Sequence, residues 1–123
     1  RATTAASDAD KARLLSDADV VFCAAKAGVQ VLNASVLSDA KKLKVAGDVN
    51  AVSPLGIEGV ELMDNGEPLK FTPQCPKAVG IGALAVGNVK YKLQQALLRE
   101  TLESDKPVYL DFRNAFEGAR KLV

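Results

Sequence analysis

Residues 20–25, VVFCAA, form an unbroken apolar run, and residues 44–48, KVAGD, repeat the pattern more weakly. A short run rich in β-branched and aromatic residues, with no polar alternation, fits a strand buried on both faces, as in a parallel sheet. Parallel neighbours need a long crossover, and residues 29–43, VQVLNASVLSDAKKL, carry enough polar interruption to be helical turns. Strand, helical connection and strand make one βαβ unit with a right-handed crossover, so the expected fold class is α/β, an open parallel sheet with flanking helices.

The rest of the chain is read around that unit. Ser7 with Asp10 three residues later resembles a capping arrangement, and the good helix formers after it predict a helix over residues 8–16. Residues 64–68, DNGEP, read as a turn in which Asn65-Gly66 supplies positive φ, with VELM and LKFT as the arms of a small hairpin. Val86, Val89, Leu93 and Leu97 recur at spacings of three and four, which predicts a long helix covering the sheet. Gly80, Gly82 and Gly87 leave its first turns thinly clad. Pro107 ends that section, and Asp111 caps a last helix in which Phe112, Phe116 and Ala119 share a face.

Composition removes several function classes. The 123 residues suit one compact domain, and 48% hydrophobic with 25% charged residues fits neither a disordered tail nor a membrane span. Sixteen basic against fifteen acidic residues give a net charge of +1 with no long block of either sign, so no nucleic-acid or membrane partner is expected. No histidine is present, which removes the imidazole base, histidine-anchored metal sites and the classical triads; no metal is expected. Cys23 and Cys75 stand far apart with no CxxC, which suits a reducing cytoplasm. The start RATTAASD lacks an initiator methionine and an apolar targeting segment, so a processed piece or a fragment of something longer is expected.

Open parallel sheets bind ligands beyond the carboxyl ends of their strands. Three segments should reach that rim. After the first strand, Cys23 to Gly28, in which Ala24, Ala25 and Gly28 add little bulk, is either a floor of small side chains under a flat ligand or a tight junction; Cys23 itself reads as a small buried hydrophobe, since no base is visible to activate it. After the second, Asp48 and Asn50 either face a ligand together or bond their own loop, which Ser53-Pro54 stiffens and Gly56 and Gly59 open to backbone approach. In the third, Gly80, Ile81 and Gly82 open the long helix, either for a ligand against free N–H groups or for close packing; the GxGxxG spacing is absent. The lysines at 41, 42, 44, 90 and 92 read as solvated surface.

Taken together, DADVVFCAAKAGVQVLN (17–33), KVAGDVNAVSPLGIEGVELMD (44–64) and AVGIGALAVGNVKYKLQQALL (78–98) resemble the NAD(P)-binding domain of the methylene-tetrahydromethanopterin dehydrogenases of methylotrophic bacteria, a family with members acting on methylene-tetrahydrofolate. The DxNAxxPxGIxG pattern followed by GIGALAxGxxK carries the likeness. The resemblance implies a Rossmann-like, doubly wound sheet and a one-carbon oxidoreductase that moves hydride from a tetrahydropterin-bound methylene group to NAD or NADP. It places Cys23, Ala24 and Gly28 near the adenosine, Asp48, Val49 and Asn50 near the nicotinamide ribose, and Gly80, Ile81 and Gly82 on the nicotinamide side. No catalytic side chain is assigned. The family's pterin domain and GxGPxG turn are absent, so residues 1–123 would be the C-terminal portion of the dinucleotide domain, lacking its first strands. Its partner would then be the missing N-terminal part, or a second copy in a homo-oligomer.

Overall fold

The structure is a computed structural model and describes residues 2–123. Helix α1 (Asp8–Leu15) starts where Ser7 accepts the Asp10 N–H and Asp10 returns the bond to the Ser7 backbone. This capping box satisfies two donors that the first helical turn leaves free. Strand β1 (Val20–Cys23) leads through a loop to α2 (Ala34–Ser38), capped by Asn33, and then to β2 (Val45–Asp48). Strands β3 (Asn65–Pro68) and β4 (Val79–Ile81) precede the long α3 (Ala83–Glu103) and the terminal α4 (Phe112–Arg120).

Among the described residues the sheet has four strands, in the order β1-β2-β4-β3. β1, β2 and β4 run parallel, with Cys23 beside Asp48 and Gly47 beside Ile81. β3 runs antiparallel to β4 at one margin, so the sheet is mixed, as parallel sheets with one reversed edge strand often are. The α/β class expected from the sequence holds.

Three local expectations change. Residues 65–68 are a strand and not the tip of a hairpin: β4 leaves backbone groups open on that side, and pairing with them outweighs the local turn preference. A register shift between Asn65 and Glu67 accommodates Gly66 at φ 95°. Residues 79–81 are likewise a strand, and the long helix begins only at Ala83. β1, expected to be buried on both faces, is covered on one: Val20 and Phe22 are each 62% exposed.

Register explains that asymmetry, because alternate residues face opposite sides. Val21, Cys23, Ala46, Asp48 and Gly80 share the face packed with Leu15, Val36 and Leu37 of α1 and α2. Val20, Phe22, Val45, Gly47, Val79 and Ile81 share the other. There Phe22 lies across Gly47, where a β-carbon would come within 2.9 Å of its ring. The core gathers Leu32, Leu37, Ala40, Leu43, Ile57, Val60 and Ala78 beneath the covered face.

The described residues divide into two compact units, the first ending at Ala85 and the second running Val86–Val123. In the second unit α4 meets α3 where Gly118 lies against Leu93. Asp111 caps α4 as the sequence predicts, and Phe112 and Phe116 are exposed, with the Arg120 guanidinium 5.7 Å from the Phe116 ring centre. None of the residues of α3 is buried.

Candidate functional site

The carboxyl ends of β1, β2 and β4 lie side by side, so the three segments singled out in the sequence reach one rim of the first unit. Adjacent strands are spaced about 4.8 Å apart, which puts Cys23, Asp48 and the Ile81–Gly82 exit within about 10 Å of one another. That is short enough for one dinucleotide half to span.

At the centre of the rim, Asp48 is 1% exposed. Its two carboxyl oxygens accept the backbone N–H groups of Asn50 and Ile57, each at 2.9 Å. Asn50, also buried, accepts the Val52 N–H at 3.0 Å and donates to the Pro54 carbonyl at 3.2 Å. Both side chains therefore bond the loop that joins them, the second of the two readings the sequence left open.

Gly56 closes this arrangement. A β-carbon there would sit 2.5 Å from the Cys23 sulfur and 3.0 and 3.1 Å from the Asp48 carboxyl oxygens. Burial, and after it the neighbouring Asp48 carboxyl, pushes the Cys23 thiol up from its ordinary range, while a backbone bond from Ala25 works the other way. A thiol so held is a poor nucleophile.

The loops after β1 and β2 are joined along their length. The Gly56 carbonyl accepts the N–H groups of both Val31 and Leu32, at 2.8 and 3.0 Å, and Glu58 N–H donates back to Leu32 at 2.9 Å. Gly28, at φ 73°, lies against the Ser53 carbonyl and the Val52 side chain. Glu58 additionally accepts the Ala34 N–H at 2.7 Å and so closes the first turn of α2; sequence reasoning missed it because its partner lies 24 residues away.

On the third segment, Gly80 and Gly82 face protein and not open space. A Gly80 β-carbon would meet Asp64 at 3.1 Å and Val60 at 3.5 Å, and one on Gly82 would lie 2.0 Å from the Glu61 carbonyl oxygen. What the rim presents to solvent is Ala24, Lys26, Ala27, Val49 and residues 51–54, with Gly28 half-buried among them. This surface is small-residue and nearly uncharged, with main chain within reach, which suits a flat heterocycle better than a free phosphate.

Among the described residues no group of three metal-binding side chains converges, and no helix is long and apolar enough to cross a membrane. Beside β1, on the covered face, an apolar groove of about 240 Å³ runs between Leu14, Leu15, Ala18, Val21, Val31 and Leu32.

The chain is 50% identical over 109 residues to the NAD(P)-dependent methylenetetrahydromethanopterin dehydrogenase of Methylorubrum extorquens, a match covering 89% of this chain and 35% of that protein. It is 30% identical over 122 residues to the Bifunctional protein MdtA of the same organism, covering 99% of this chain and 40% of that one. The resemblance expected from the sequence therefore stands, and the chain spans less than half the length of these relatives. No family model matches the chain.

Proposed function

We propose that these residues form part of the NAD(P)-binding domain of an oxidoreductase that converts methylene-tetrahydromethanopterin, or methylene-tetrahydrofolate, to the methenyl form. The observation that carries this reading is the 50% identity to a dehydrogenase of that name along nearly the whole chain. The convergence of the three strand ends on one rim supports it, since open α/β sheets bind dinucleotides there.

The exposed floor fits a planar base or nicotinamide ring. Ala24, Gly28 and Val49 would meet the dinucleotide directly, Cys23, Asp48 and Asn50 lie beneath and shape the loop, and Gly80, Ile81 and Gly82 bound the floor on the β4 side. Bound NAD or NADP would supply the hydride acceptor. The work of the protein is to orient that acceptor against the methylene carbon and to exclude water, which needs no acid or base from this chain. Chain beyond these 123 residues would provide the pterin site and the rest of the dinucleotide cradle. A reduced pterin and a nicotinamide substrate fit a cytoplasmic setting.

The test is titration of the isotopically labelled chain with NADP and with NAD, followed residue by residue by NMR. Shifts confined to residues 24–28, 49–54 and 80–82 are expected, with the larger response naming the preferred cofactor. Shifts scattered elsewhere, or none at millimolar ligand, would overturn the assignment.

A second reading, self-association without catalysis, rests on β1. Among the described residues its outer edge has no strand partner, and Val20 and Phe22 are exposed on the sheet face opposite the apolar groove. Sedimentation at several concentrations separates the two: a mass that rises with concentration while dinucleotide causes no shifts favours self-association.

A further inference from the structure

From the geometry at the rim we infer that Asp48 is a positioning residue: it acts on the dinucleotide through the 49–57 loop and does not touch it. This rests on the dinucleotide-binding reading above and assigns the work within it. Both carboxyl oxygens of Asp48 already accept a backbone N–H, one at each end of the loop, from Asn50 and from Ile57. The side chain is 1% exposed, so no ligand reaches it without the loop opening.

The clamp has a definite reach. By holding Asn50, Asp48 places the amide that in turn holds Val52 and Pro54, so one buried carboxyl orders the exposed stretch 51–54 through a chain of bonds. By holding Ile57, it fixes Gly56, whose carbonyl takes both Val31 and Leu32. The floor on both sides of the rim is thus set from one residue. Gly56 is required because any side chain there would strike the Asp48 carboxyl and the Cys23 sulfur. Asp48→Asn keeps size and one acceptor but turns a second N–H donor toward a backbone N–H.

The experiment has two arms on the 123-residue chain. In the first, amide hydrogen exchange compares the chain with Asp48→Asn. Protection at Asn50 or Ile57 should fall by about tenfold or more while Ala46 and Val79 keep theirs, and dinucleotide affinity should fall by about tenfold with the fold intact. Unchanged protection at both amides overturns the clamp. So does lost protection with unchanged affinity, which would make the loop merely structural.

The second arm uses the unmodified chain and so does not depend on the variant folding. On NADP titration the amides of residues 51–53 should shift while the Asp48 side-chain carboxyl carbon stays in place. A moving carboxyl carbon means direct contact and overturns the inference. If NADP shifts nothing, the binding reading fails and takes with it the role toward the dinucleotide, while the exchange arm still decides whether Asp48 holds the loop.

Discussion

Gly82→Ala is the sharpest structural test of how β4 passes into α3. The β-carbon of the variant would lie 2.0 Å from the Glu61 carbonyl oxygen, 2.5 Å from that of Leu62 and 2.6 Å from the Leu62 carbonyl carbon. An ordinary carbon–oxygen contact is about 3.3 Å, so the Glu61 carbonyl must retreat by about 1 Å. Nothing there gives easily, because every obstructing atom is main chain and two of the three are already bonded. The Glu61 oxygen accepts Asp64 N–H at 3.2 Å, and the Leu62 oxygen accepts Leu84 N–H at 2.9 Å at the start of α3. Losing those bonds costs about 1 kcal/mol each, and overpacking adds about 1–3 kcal/mol, for a total of about 3–5 kcal/mol. An ordinary domain is stable by about 5–15 kcal/mol, so a large fraction would go. Urea unfolding followed through the methyl signals of Leu37 and Ile57 reports this unit; at a slope of about 1–2 kcal/mol per molar, the midpoint falls by about 1.5 M or more. A midpoint within about 0.5 M of the unmodified chain would refute the packing argument. If it did so while dinucleotide binding was lost, Gly82 would instead be kept small for the ligand.

Gly87→Ala should move stability the opposite way, because its β-carbon meets nothing within 4 Å; in a helix interior the exchange gains about 0.5–1 kcal/mol, readable from helix melting by circular dichroism. Leu37→Ala should cost about 2–5 kcal/mol in the same urea assay, the side chain being 0% exposed at the centre of the core. Cys23 holds its proton more tightly folded than unfolded, so its share of stability is whole at neutral pH and declines as pH rises above the ordinary thiol range; Cys23→Ala should remove that alkaline decline in urea midpoints. The Ser7 hydroxyl holds Asp10 below the usual carboxylate range, so the capping box is intact at neutral pH and lost as acid protonates Asp10; Ser7→Ala should make the helicity of residues 8–15 less dependent on acid pH.

Elements whose signals are local were legible from the sequence. Ser7 with Asp10 and Asp111 before Phe112 mark helix starts because a cap is a bond across two or three residues. VVFC and VAGD declare strands by composition, and the parallel pairing follows from the intervening connection. Asn65-Gly66 misled because its turn chemistry is also local, whereas the pairing that makes it a strand comes from β4, about fourteen residues on in the chain. The site divided along the same line. That Asp48 and Asn50 stand at a strand tip was readable, but which way their oxygens turn depended on Ile57, Pro54 and a gap at Gly56 that no spacing rule announces.

The shared carbonyl at Gly56 carries a consequence for how proteins of this kind can diverge. Two connections stitched together by Val31, Leu32 and Glu58 cannot change length independently, since a residue inserted into either would slide every bond in the seam out of step. Insertions and deletions among relatives should therefore arise in matched pairs on the two sides, or outside the seam altogether, and a lopsided one would mark a lineage that has abandoned this architecture.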